Sequence, residues 1–497
     1  MSDVPIGSLW LKERFLLNRY MLTHSSYIGS NPSIEVTSKG NIDQVYGPGY
    51  RLDKDEPLHH IEFSLKYDDI NLDFMQAVMR KLSPEEVEAF IALAPQGKYS
   101  RRIGFLYEFL VDKLTIRKPV TANYEDLLDK DRYVVGRIRK NGRWRINDNL
   151  LGGPAFCPMV RRKRELRELL EKSTKEEVRE FRSEYTPELL SRAIRYLYRK
   201  ETRSSYEIEK ETAAPDRMEK FVNLLLRAGT ETPEELLTES RLSELQNAIV
   251  DPRYMATGYR QGQVYVGESL PGLMESIHYI APPPQYVHML MAGLAETGYR
   301  MLGESPEVRA ALVSFGFVFI HPFEDGNGRL HRFLIHDVLV QDGVVPQGLI
   351  IPVSAHLLNH LDEYDRILEG YSRPLMQRIK YDKKGEGEIV VTNAEEVEGY
   401  FRFPDLTEHC IYLIETLRAT LKEDMPAELL FIQHYDEAKR ELQRIVDMPD
   451  RRLEQLMLFL HQNKGVFPKR RREQFSELTD EEIGRMEAVY REVYEFL

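Results

Sequence analysis

The stretch HPFEDGNGRLHR, residues 321–332, lies between two apolar helical patterns and restricts what the surrounding chain can build. Upstream, Ser305-Pro306-Glu307 is a helix start, and Val308, Leu312, Phe315 and Phe319 follow at steps of four, three and four. That spacing predicts a helix with one face anchored in a core. Pro322 stops it. A second helical pattern begins near Asn327, with Leu330, Phe333, Leu334 and Val338 on its inner face and Gly343 marking its end. The expected unit is a helix, a tight loop and the N-terminus of a buried helix.

Free backbone N–H groups at a helix N-terminus, preceded by glycines that let the backbone come close, make an anion site. Gly326 and Gly328 suit that turn, and Asn327 adds side-chain donors without adding charge. Arg329 and Arg332, three apart in the first turn, can fork onto phosphate oxygens. Two cations at a helix start oppose the macrodipole unless an anion is present, so their placement points to function rather than stability. Asp325 is a hard oxygen ligand at the mouth of the site, and Mg²⁺ typically takes one or two carboxylates and fills its shell with phosphate oxygens and water. Glu324, its neighbour in a tight loop, is expected to point away and stay exposed. His321 is the side chain best able to accept a proton near neutral pH. Together these residues describe a metal–polyphosphate cradle beside a general base.

Composition limits the alternatives. The chain has 497 residues, 42% of them apolar and 30% charged, which is ordinary for a soluble globular protein of two to four domains. A formal net charge of -12 argues against coating nucleic acid or an anionic membrane as the main task. Only Cys157 and Cys410 occur, too far apart in sequence to suggest a disulfide framework or a metal knuckle. The first residues, MSDVPIGSLWLKERF, lack a basic region followed by an apolar stretch, and the apolar run from Ala310 to Ile320 falls short of the roughly 20 residues a membrane span needs. A cytoplasmic protein without a membrane segment is the expectation. Whether it self-associates into a homo-oligomer is not readable.

The chain divides into four expected parts. Residues 1–115 form an N-terminal mixed, mostly helical domain, with a capped helix starting at Ser83-Pro84-Glu85-Glu86. Residues 116–199 carry a small hairpin around Asn141-Gly142, read as a type I′ turn, and then a charge-dense helical connector. Residues 200–375 contain the 321 stretch, a helix start at Thr232-Pro233-Glu234-Glu235, and a glycine-rich segment before Pro282-Pro283-Pro284 that reads as a short hairpin or flap. Residues 376–497 are mostly helical, with one strand near GEGEIVVT and a basic run, FPKRRREQF, offset by nearby acids. The fold class is mainly α.

The stretch resembles the signature of the Fic (filamentation induced by cAMP) family, His-x-Phe-x-Asp/Glu-Gly-Asn-Gly-Arg-x-x-Arg. The match falls on His321, Phe323, Asp325, Gly326, Asn327, Gly328, Arg329 and Arg332. The resemblance implies a Fic-type helical core with a β-hairpin flap over about 200–375, flanked by mostly helical domains with small hairpins. It also implies transfer of AMP from ATP to a Ser, Thr or Tyr hydroxyl of a target protein or of the chain itself. In that scheme His321 takes the hydroxyl proton, Asp325 holds Mg²⁺, the Gly326-Asn327-Gly328 turn holds developing charge, and Arg329 and Arg332 hold the β- and γ-phosphates. The flap, residues 260–281, would receive the target by strand addition.

Upstream lies RSSYEIEKE, residues 203–211, which by spacing alone is a charged helix. Many Fic proteins carry an inhibitory Ser/Thr-x-x-x-Glu-Gly/Asn motif before the core, and Ser205 and Glu209 match it. Lys210 stands where Gly or Asn is usual. The resemblance implies that Glu209 pairs with Arg332 and so occupies the cation meant for the γ-phosphate. A desolvated pair of that kind is worth roughly 1.5 to 3 kcal/mol. Alternatives on the same site are other nucleotidyl or phosphoryl transfer, removal of AMP, or a non-catalytic ATP-sensing regulatory or DNA-binding protein.

Overall fold

In the computed structural model, which describes residues 3–37, 40–116, 119–270, 274–385 and 388–494, the chain is mainly helical, with 21 α-helices and small sheets of two to four strands among the described residues. None of these helices is long and apolar enough to cross a membrane.

The N-terminal sheet shows how short strands are held. Val4–Ile6 runs antiparallel to His24–Ile28, which pairs in parallel with Ile42–Tyr46, and Ser33–Val36 closes the outer edge antiparallel to Ile42–Tyr46. Its inner face puts Ile6, Ile28 and Tyr46 on Phe63 of the helix Pro57–Tyr67. The next helices form a second core, with Phe74, Val78, Ile103, Leu106 and Trp144 at its centre. Ser83 caps the helix Pro84–Leu93 through a full capping box with Glu86, as its residue order predicts, because both bonds lie within four residues. Thr232 and Glu235 build the same box on Pro233–Leu236.

The hairpin near residue 141 departs from expectation. Arg139–Asn141 pairs with Ile146–Asp148, and Asn141 sits opposite Ile146, so residues 142–145 form a four-residue loop instead of a two-residue type I′ turn. Burial of Trp144 is the physical cause. Its ring packs where a Cβ on Gly104 would stand, its indole N–H donates to Glu108 (2.7 Å), and its backbone N–H donates to Asn141 Oδ1 (2.9 Å). The left-handed conformation falls on Arg145, φ 52°.

The largest core gathers the helices around the 321 stretch. Helix Pro306–Ile320 and helix Asn327–Gln341 pack side by side, and both are buried on nearly every face because other helices surround them. The flap is an antiparallel hairpin, Tyr265–Leu270 with Met274–Ile280; residues 271–273 at its tip lie outside the described residues. A 22-residue helix, Pro187–Ile208, lies across the motif helix and ends above the loop. Its register is fixed by Glu201, fully buried, which accepts from His336 Nε2 (2.8 Å) and from the Ser354 N–H (2.8 Å) and hydroxyl. The C-terminal helices, from Met425 onward, enclose a smaller core around Leu453, Leu456, Phe475 and Tyr490. In the basic run there, Arg472 pairs with Asp480 (3.0 Å), and Phe475 is covered by Arg452 of the helix Asp450–Gln462 (4.0 Å).

Candidate active site

The loop is closed by its own side chains. Gly326 takes φ 87°, a left-handed conformation that lets the chain turn into the helix at Asn327. A Cβ there would also stand 2.8 Å from Val250. The Asn327 amide accepts from the Phe323 N–H (3.0 Å) and donates to the Phe323 carbonyl (2.8 Å). Both of its polar atoms are thereby used inside the loop. The side chain thus ties the loop together, and one amide hydrogen lies outside these two bonds. Glu324 is exposed, as expected, and Phe323 is fully buried against Tyr259 and Phe317.

His321 ends its helix in a left-handed conformation, φ 52°, ψ 60°. For a residue with a side chain this costs on the order of 1 kcal/mol, and such strain collects at functional positions. Its Nδ1 lies 3.1 Å from the Val318 carbonyl, which can only accept, so Nδ1 carries the hydrogen and Nε2 keeps its lone pair. Burial, followed by the Arg260 guanidinium, pushes the imidazole pKa down to about 4; the Val318 bond and the charges of Glu209 and Asp325 act the other way. At neutral pH the ring is a neutral base.

The two arginines face different partners. Arg332, 1% exposed, donates from Nε to Ser205 Oγ (2.8 Å) and from Nη2 to the Ser205 carbonyl (2.7 Å) and Glu209 Oε1 (2.8 Å). Arg329, equally buried, donates to Asp325 Oδ1 (2.7 Å), to Glu211 Oε2 (2.9 Å) and to the Ile249 carbonyl (3.3 Å), and lies over the Tyr206 ring. Burial tends to raise the Glu209 carboxyl, but Arg332, by charge and hydrogen bond, and Arg329 more than offset it, leaving the pKa below its ordinary 4.5. Gly328 makes room for this arrangement: a Cβ there would collide with Glu209 Oε1. The Glu209 carboxylate thus lies over the first turn of the motif helix.

Helix Pro187–Ile208 delivers these carboxylates by the way it ends. Glu209 is its C-cap and Lys210 takes φ 57°. The Lys210 N–H donates to the Glu207 carbonyl (2.9 Å) and the Glu211 N–H to the Tyr206 carbonyl (3.1 Å), the bond pair of a Schellman motif. The position usually held by Gly or Asn is the left-handed one, and Lys210 adopts it. With the chain reversed there, Glu209 and Glu211 flank the turn and reach Arg332 and Arg329. Glu211 was not singled out from the sequence; its carboxylate two residues after Glu209 was the available signal.

Asp325 Oδ1 also accepts from the Gly326 N–H (2.6 Å). Among the described residues no cluster of three or more His, Cys, Asp or Glu could hold a metal by itself. Asp325 is a partly exposed carboxylate beside the glycine turn, and a single carboxylate is a ligand set that Mg²⁺ accepts when phosphate oxygens and water fill the rest of its shell.

With this geometry in view, residues 236–339 match the Fic/DOC family. A relative from Aquifex aeolicus (strain VF5), named "Probable protein adenylyltransferase", is 27% identical over 179 residues, 32% of this chain and 52% of its own length. A protein adenylyltransferase of Caenorhabditis briggsae is 30% identical over 150 residues, 28% of this chain and 27% of its own. The chain thus spans about half, and about a quarter, of these curated relatives. A solved Fic family protein from Desulfovibrio desulfuricans G20 aligns with a TM-score of 0.38 and 17% identity, covering 66% of this chain and 87% of that one.

Proposed function

We propose that the chain is a protein AMP-transferase held in a restrained state by its own Glu209. The observation that carries this reading is the buried Arg332, whose guanidinium is shared by Ser205 and Glu209 at the N-terminus of the motif helix. A cation so placed and so covered is an anion seat with a built-in occupant.

In the transfer step, a target Ser, Thr or Tyr hydroxyl gives its proton to His321 Nε2 as its oxygen attacks the α-phosphorus of ATP. The bond from that phosphorus to the bridging oxygen breaks, and pyrophosphate leaves. The backbone of Gly326-Asn327-Gly328 receives developing negative charge; Arg329 and Arg332 receive the β- and γ-phosphates once the carboxylates withdraw. Asp325 would hold Mg²⁺, which supplies charge neutralisation to the leaving phosphates. The family relatives named as adenylyltransferases support this choice of nucleotidyl group.

Glu209 and Glu211 act together in the restraint, one on each arginine. Glu209 is a third exposed, so its pair with Arg332 belongs near the lower end of the range for charge-assisted bonds, about 1.5 kcal/mol.

The test uses Glu209→Gly protein with Mg²⁺ and ATP labelled at either the α- or the γ-phosphate, with Glu209→Gly/His321→Ala as control. Label on protein from the α-phosphate alone, lost in the control, is expected. Label from the γ-phosphate would mean kinase action, and no label from either would leave the nucleotide site a sensor and overturn the proposal.

A further inference from the structure

Arg260 is 4% exposed and stands immediately before the flap. Buried arginines ordinarily face a carboxylate, because an unpaired buried charge is costly. This one faces carbonyls. Its Nε donates to the His321 carbonyl (2.7 Å), Nη1 to Gly262 (2.9 Å), and Nη2 to Pro282 (2.7 Å) and Ile320 (3.4 Å). Its backbone N–H donates to the Pro322 carbonyl (2.9 Å). Gly262 and Pro282 are the two feet of the flap; Ile320, His321 and Pro322 are the end of the helix that carries the base.

A cation at a helix C-terminus is favourable against the dipole and satisfies carbonyls that lack helical partners. That accounts for a basic residue. It does not account for a fork whose three nitrogens make four bonds to separate carbonyls, which the five fixed donors of a guanidinium can supply and the three donors on the single nitrogen of an ammonium cannot. The flap's feet are also pinned to each other, by Gln263 Nε2 donating to the Ala281 carbonyl (2.7 Å) and by the Ala281 N–H donating to Val264 (3.1 Å). The Tyr279 hydroxyl of the second flap strand donates to the Phe319 carbonyl, a second tie to the same helix end.

We propose that Arg260 is a positioning residue that joins the flap and His321 into one mechanical unit, so that the strand which receives the target and the base which deprotonates it move together. This rests on the transfer reading above. Arg260 touches neither nucleotide-binding arginine in the bonds it makes, so its role separates from ATP binding. Its charge is also one of those that hold His321 neutral, beside the opposing Glu209 and Asp325.

The experiment compares Arg260→Gln and Arg260→Lys in the Glu209→Gly background. Transfer by Arg260→Gln is expected to fall about 10²-fold, the scale of a misplaced reacting group, with ATP affinity by calorimetry unchanged. The acidic limb of its pH–rate profile should move to higher pH, because removing the positive charge lets the imidazole protonate more readily; Arg260→Lys keeps the charge, loses the fork, and should slow transfer without moving the limb. Unchanged transfer, or a loss matched by lost ATP affinity, overturns the proposal. Hydrogen exchange supplies a readout independent of activity: in Arg260→Gln, amides of 318–321 and of both flap strands should speed up together, and acceleration of one alone overturns the coupling. If the Glu209→Gly parent transfers no AMP, the transfer reading fails while the exchange data still decide the Arg260 coupling.

Discussion

Two helices end at this site, and both do so through a left-handed residue that is not glycine. Helix Pro187–Ile208 turns at Lys210, φ 57°, and helix Pro306–Ile320 at His321, φ 52°. The first end sends out carboxylates, Glu209 and Glu211, onto arginines of the neighbouring helix. The second draws in a cation, Arg260, onto its own carbonyls. The carboxylate end is partly exposed, and under the proposed function it holds cations that phosphate would otherwise take, so that a ligand would replace it. At the other end Arg260 is buried, and its partners are backbone carbonyls. The contrast teaches that an equally strained turn can serve as a removable plug or as a fixed mount, according to what surrounds it.

The largest way to break the comparison is to remove the base from the fixed end. His321→Ala in the Glu209→Gly background should lower AMP transfer by about 10² to 10⁴-fold, measured as α-label on protein. ATP affinity should stay, because the anion-binding groups are untouched.

Acid should separate the two ends. The Glu209 carboxyl lies below its ordinary 4.5, so its contribution is present above that value and is lost only as pH falls through the depressed one. Burial, the largest cause in each case, pushes His321 and His409 down to about 4 and His331 to about 3, from 6.5. Unfolded chains bind protons that these folded rings refuse between about pH 6.5 and pH 4, so stability falls as pH falls through that window. The slope is up to about 1.4 kcal/mol per pH unit for each ring. Urea unfolding at pH 7 and pH 5 should show the loss, and His331→Phe, which keeps an aromatic ring beside Phe315 but takes no proton, should reduce it. An equal loss in wild type and His331→Phe would contradict the assignment.

Smaller effects sharpen the removable end. Glu211→Gln removes the charge that faces Arg329 and should raise transfer a few-fold, with a non-additive effect in Glu209→Gly because the two carboxylates are two residues apart and Glu209 also feels Arg329. Lys210→Gly relieves a left-handed side chain and should stabilise the chain by up to about 1 kcal/mol, read as a higher urea midpoint. A lower midpoint would mean that the Lys210 side chain itself contributes.

Local chemistry was legible in the sequence, and distant geometry was not. The helix start at Ser83, the box at Thr232 and the turn at Gly326 depend on atoms a few residues apart, and each stands where its residue order predicts. Mainly α architecture follows from the same periodicities. Asn141-Gly142 misled because the burial of Trp144 against Gly104, a tertiary contact, displaced the turn by lengthening the loop. The Glu209–Arg332 contact came from a family resemblance rather than from spacing, since 123 residues separate the two. Glu211 and Arg260 escaped notice for a related reason: one is an ordinary surface charge by type, the other an arginine in a glycine-rich segment, and only the fold brings them to Arg329 and His321.

The central claim is that Glu209 keeps Arg332 from phosphate. It is tested most directly by measuring AMP incorporation from α-labelled ATP by the wild-type and Glu209→Gly chains side by side, at equal concentration and saturating Mg²⁺. Release of a pair worth about 1.5 kcal/mol predicts a rate about tenfold higher in the variant. Equal rates from two chains that both transfer AMP would contradict it.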